Sequence, residues 1–92
     1  MDPVYEYKMI GGVFLITVYP NRIHITDKSK GGAKGLVFPN ETDILIKHIT
    51  GVNIKGFMRK LELTMNDGTR REIPNIYGKD AVQLRDVILN LL

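Results

Sequence analysis

Up to Ile73 the apolar residues of this chain fall mostly in short, alternating runs, and after Pro74 their spacing changes to three and four. A period of two belongs to a strand with one solvated face, and a period near 3.6 to an amphipathic helix. The pattern therefore predicts a mainly β domain of six to seven antiparallel strands, a barrel or sandwich, capped by one C-terminal α-helix. Residues 12–19 are a dense run of Val, Phe, Leu, Ile and Tyr, the composition of a buried strand. Pro20-Asn21 breaks that run with turn chemistry. Beyond it Ile23 and Ile25 point one way and Arg22, His24 and Thr26 the other, so the pair reads as a hairpin.

Residues 27–35 (DKSKGGAKG) read as a loop and 36–38 as a short strand ending at Pro39. Residues 43–48 are apolar enough for strand or helix, and periodicity leaves both open. Val52 and Ile54 mark a strand over 50–55, and Leu61, Leu63 and Met65 mark another. Asn66-Asp67-Gly68 supplies the chemistry of a hairpin turn leading to a return strand over 69–73. The first eight residues form either a flexible arm or an added strand. In the last segment Ala81, Leu84, Val87, Ile88, Leu91 and Leu92 fall on one stripe of a capping helix over 78–92, with Asp80 favourably placed in its first turn.

Ninety-two residues make one domain, 1–92, able to fold without staples. Cysteine is absent, which excludes a disulfide framework, a thiolate nucleophile and a cysteine-based zinc site, and suits the reducing cytoplasm. No run approaches the roughly 18 apolar residues that span a bilayer. The start, MDPVYEYKMIGG, has acidic residues and tyrosines where a signal peptide carries a basic region and an apolar run. Without an export signal, the sequon Asn40-Glu41-Thr42 has no consequence.

The order of elements resembles the pleckstrin-homology superfold, two near-orthogonal sheets capped at one corner by a C-terminal helix. More narrowly it is similar to short bacterial PH-like domains and their GRAM-type relatives. The matching stretches are Gly12-Val13-Phe14-Leu15, the hairpin Asn21-Arg22-Ile23-His24-Ile25-Thr26, Ile49-Thr50-Gly51-Val52, Leu61-Glu62-Leu63 with Asp67-Gly68, and Asp80-Ala81-Val82 opening the helix. Together they cover residues 10–92. Two features depart from the pattern. Asp43-Ile44-Leu45-Ile46-Lys47 lacks the proline usual before the strand that matches Ile49-Thr50-Gly51-Val52, and the first hairpin carries only Arg22 where phosphoinositide-binding members have a basic motif. The resemblance implies a binding or assembly module, since the fold hosts many functions and few are catalytic.

The residues point the same way. His24 and His48 are the two histidines, and neither is grouped in sequence with carboxylates as a metal site requires. Glu41 and Asp43 read as a loop entry. The glycine-rich stretch lacks the register of a phosphate-binding P-loop. No enzyme, cofactor, metal or small-molecule substrate is expected. Three surfaces remain. Val82 and Leu89, seven residues apart on the helix side away from the core, predict a protein interface for a partner or a homo-oligomer. Lys28, Lys30 and Lys34, with Arg22, form a candidate site for anionic lipid or phosphoinositide membranes. Arg59, Lys60, Arg70 and Arg71 fall on paired strands as a candidate nucleic-acid or partner face, diluted by Glu62 and Glu72 and thin in aromatic residues. The leading expectation is an interaction module working through protein–protein contacts; membrane binding is the alternative, and weak nucleic-acid binding comes third.

Overall fold

The computed structural model describes residues 2–9, 12, 14–28, 40–57, 59–74 and 76–92. Among these the chain forms seven antiparallel strands in two sheets, followed by one helix. The first sheet runs in the order β1 (Tyr5–Lys8), β2 (Phe14–Val18), β3 (Arg22–Asp27), β4 (Asn40–Leu45). The second runs β5 (Ile49–Lys55), β6 (Lys60–Met65), β7 (Arg70–Pro74). Neighbours in space are neighbours in sequence, so both sheets are meanders. They face each other as an open sandwich and do not join into a closed barrel.

Alternation places the core. Phe14, Ile16 and Val18 of β2 face inward, and the register sets Ile16 opposite Ile25 and Val18 opposite Ile23 on the same side. In the second sheet Leu61 and Leu63 of β6 are fully buried between Ile54 and Val52 on one flank and Ile73 on the other. Strict alternation from Ile49 would turn Val52 outward. A bulge at Thr50 shifts the register by one, so Ile49 and Val52, three apart, both reach the core. Both hairpin turns form where the sequence places them. Tyr19 N–H donates to Arg22 C=O at 2.7 Å across Pro20-Asn21. At the second turn Gly68 takes φ +88°, and Thr69 donates from both N–H and hydroxyl to Asp67 Oδ1, at 2.9 and 2.6 Å. Those bonds hold the Asp67 carboxyl below its ordinary pKa.

Helix α1 (Gly78–Leu91) buries Ala81, Leu84 and Ile88, with Val87 and Leu91 packed at the edges of the same stripe. It lies chiefly on β5 and reaches β6 and β1. Its Asp80 sits beside the Tyr5 and Tyr7 phenols of β1. Burial first and the Asp80 charge second raise both phenol pKa values.

The structure corrects some sequence expectations and decides between the alternatives of others. Leu92 leaves the core stripe and is 48% exposed: it follows the last helical residue, and a tightened bond from its N–H to Leu89 C=O turns it off the helical arc. Residues 5–8 are a strand, held by pairing with β2. Asp27 belongs to β3, opposite Phe14. Glu41 and Asp43 lie on β4, not in a loop entry, and residues 43–48 divide into the end of that strand and a 3-10 turn, Ile46–His48. The expected strand over 36–38 lies outside the described residues.

Candidate interaction surfaces

Seven strands bring the predicted basic residues near one another without making one cationic face. Across β6 and β7 the register sets Glu62 opposite Glu72, and each carboxylate is met by a diagonal cation. Lys60 pairs with Glu72, and Arg70 Nε lies 3.9 Å from Glu62. Arg71 has the opposite parity, shared with the buried Ile73, and turns toward the opening between the sheets. Arg59 sits in the β5–β6 turn. Such exposed pairs add at most about 1 kcal/mol each to stability, but they cancel the local charge that nucleic acid would need.

The candidate anion site is also divided. Lys30 and Lys34 lie outside the described residues. Arg22 and Lys28 stand at opposite ends of β3, about 20 Å apart at ordinary strand rise. Arg22 stacks on the Tyr19 ring at 4.2 Å and approaches Asp43 at 3.5 Å. His24 lies across from Asp43, whose Oδ1 accepts a hydrogen bond from Nδ1 at 2.8 Å, while Nε2 lies 3.7 Å from Glu41. The two carboxylates therefore group around His24, as β-pairing rather than sequence spacing dictates. They face opposite ring nitrogens, however, and no group of three His, Cys, Asp or Glu side chains among the described residues is placed to hold a metal ion.

Between the open ends of the sheets lies a cleft of about 150 Å³, floored by Phe14, Ile25 and Ile44 and rimmed by Asp27, Thr42, Arg71 and Glu72. That is smaller than the roughly 300 Å³ at which drug-sized ligands begin to fit. A more open groove of about 420 Å³ runs between Pro20, Leu45, Ile46 and Leu91, where the β2–β3 turn meets the last turn of α1. Leu45, Leu89 and Leu92 are all exposed at this end of the molecule or on the adjoining helical turns. Leu89 is 45% exposed and Val82 half-buried, so the apolar line predicted along the helix is exposed mainly at its C-terminal end.

At the tip of the β5–β6 hairpin, Gly56 and Phe57 both take left-handed backbone angles, φ +63° and +57°. The turn is closed by Arg59 N–H donating to Lys55 C=O at 3.2 Å. Glycine adopts this conformation freely, but for a residue with a Cβ it costs about 1–2 kcal/mol. The Phe57 side chain is 100% exposed, so no packing offsets that cost. At the base of the turn Lys55 stands directly opposite Lys60, whose charge is met by Glu72, so that Lys55 is left as the cation at the turn. Gly56 was the only sequence signal for this turn; a second left-handed residue that is aromatic gives none.

No family model, curated protein or solved structure matches this chain. Among the described residues no helix is long and apolar enough to cross a membrane.

Proposed function

We propose that this domain is a non-enzymatic assembly module whose partner is a second copy of itself, paired antiparallel along the outer line of α1. The observation that carries this reading is the self-complementarity of that line. About a two-fold axis placed between Arg85 and Asp86, Val82 of one copy faces Leu89 of the other, Arg85 faces Asp86, and Lys79 faces Leu92. At about 100° per residue Val82, Arg85, Asp86 and Leu89 lie within roughly 100° of arc, on the side away from Ala81, Leu84 and Ile88. Each contact joins apolar with apolar or cation with anion, except that of Lys79; Arg85 already pairs with Asp86 of its own copy at 3.1 Å, so the two copies would share these charges as one four-membered network. That lysine would lie over the partner's last helical turn, which has no basic residue of its own to balance the negative end of the helix dipole.

The order of four strands, three strands and a C-terminal helix agrees with the PH-like resemblance, and that family implies binding rather than catalysis. The cytoplasm is the proposed setting, in keeping with a cysteine-free sequence. A 14-residue helix is about 21 Å long, so the interface falls below the size of stable complexes and the dimer is a weak one.

Light scattering behind size-exclusion chromatography, run over a wide concentration range, tests this. The mass should rise from 10.4 kDa toward twice that value in the wild type. Leu89→Asp/Leu92→Asp should remain monomeric. Arg85→Asp and Asp86→Arg should each weaken the dimer, and the double exchange should restore it. A wild-type monomer at every concentration, or a dimer indifferent to all these changes, defeats the reading.

A further inference from the structure

We infer that the tip of the β5–β6 hairpin is a second binding site, one that docks on anionic lipid bilayers, with Phe57 entering the interface and Lys55 and Arg59 resting on headgroup phosphates. This goes beyond the assembly reading and rests on none of its residues. The backbone at the tip is strained without any gain in folding: the left-handed Phe57 side chain is fully exposed and packs against no described residue. Local conflict of this kind, held in place by the surrounding ladder, is a mark of function rather than of folding.

The chemistry selects the partner. Residues 55–60 (KGFMRK) carry three cations and no acid. Lys60 is drawn down to Glu72, and its stem lies over Gly56. Lys55 and Arg59 are exposed and form no ion pair among the described residues, which leaves them beside the aromatic ring as its charged flank. A projecting aromatic side chain at the end of a hairpin is convex. It offers a protein partner no pocket, whereas a bilayer deforms around it. Aromatic rings settle at the membrane interface while neighbouring lysines and arginines meet anionic headgroups, an attraction that salt weakens. The net charge of +3 adds a long-range pull of the same sign.

The experiment uses the full chain and a built-in reporter. The sequence has no tryptophan, so Phe57→Trp places a single indole at the tip. Vesicles of phosphatidylcholine with phosphatidylserine should shift its emission to the blue and carry the protein upward in flotation. Phosphatidylcholine alone should do neither, and raised salt should reverse both effects. Phe57→Asn should keep the fold and lose about tenfold or more in vesicle partitioning, the share expected from one buried aromatic side chain. Lys55→Glu/Arg59→Glu should lose binding to the anionic vesicles, and Leu89→Asp/Leu92→Asp should retain it. Absence of a blue shift and of flotation at low salt overturns the inference and gives the tip to a protein partner. Flotation that survives Phe57→Asn also overturns it.

Discussion

Replacing Phe57 by asparagine should stabilise the protein, although it deletes a large apolar side chain. Removing a phenylalanine from a core costs about 3–5 kcal/mol, but here the side chain is 100% exposed and has no packing to lose. What changes is the backbone. At φ +57° an ordinary side chain costs about 1–2 kcal/mol, while asparagine tolerates the left-handed region well. Relief of part of that cost should yield about 0.5–1 kcal/mol. For a chain of 92 residues this corresponds to a rise in Tm of about 2–8 °C. Urea unfolding followed by circular dichroism should show a higher midpoint with an unchanged slope. Glycine at the same position relieves the strain too, but it loosens the unfolded chain and should gain less. A loss of more than about 0.5 kcal/mol in Phe57→Asn would refute the reasoning, because it would mean that Phe57 makes native contacts.

Leu84 is fully buried on the inner face of α1, and Leu84→Ala should cost about 2–5 kcal/mol in urea unfolding; a cost under about 1 kcal/mol would show that the helix does not close the core. Tyr5 and Tyr7 hold their phenolic protons more tightly in the folded chain than in the unfolded one, through burial first and Asp80 second. The folded state therefore binds more protons once the pH approaches 10, so the tyrosines' contribution to stability should be constant below that pH and fall as the pH rises through the folded values. Tyr5→Phe should flatten that fall in unfolding curves measured up to pH 11, and a fall of unchanged steepness would remove Tyr5 from the account. Asp67 titrates in the opposite sense. Its lowered pKa gives stability that is present at neutral pH and lost as the pH drops through its folded value, and Asp67→Asn should shrink that acid-side loss in the same assay.

Much of the fold was legible where side chains alone decide it. Alternation in β2, β3 and β6, the Pro20-Asn21 turn and the stripe of Ala81, Leu84 and Ile88 all follow from burying one face of a periodic segment. What escaped depends on pairing. Tyr5-Glu6-Tyr7-Lys8 has no aliphatic run and becomes a strand because β2 offers it a partner edge. The bulge at Thr50 changes which residues face inward, and nothing in the local composition marks it. His24 gathers Asp43 and Glu41 from 19 and 17 positions away only through the β3–β4 register. The fate of the basic cluster was within reach. A three-residue loop at Asn66-Asp67-Gly68 sets Met65 against Thr69, hence Glu62 against Glu72, and the diagonal pairs with Arg70 and Lys60 follow.

The two proposed surfaces differ in how strongly the fold itself argues for them. An exposed leucine on a helix is compatible with a solitary domain, since apolar atoms cover much of any protein surface. Leu89 and Leu92 therefore gain meaning only from the charges that accompany them and from the proposed two-fold, which would set Arg85 of one copy against Asp86 of the other. Phe57 is different, because its conformation opposes the fold instead of merely surviving it. Selection for stability alone would replace it with asparagine or glycine at a turn where nothing is packed against the side chain. If Phe57→Asn both stabilises the domain and frees it from anionic vesicles, one residue trades folding energy for attachment. If it stabilises the domain and leaves flotation intact, the strain at the tip serves some other contact, and the bilayer is the wrong partner.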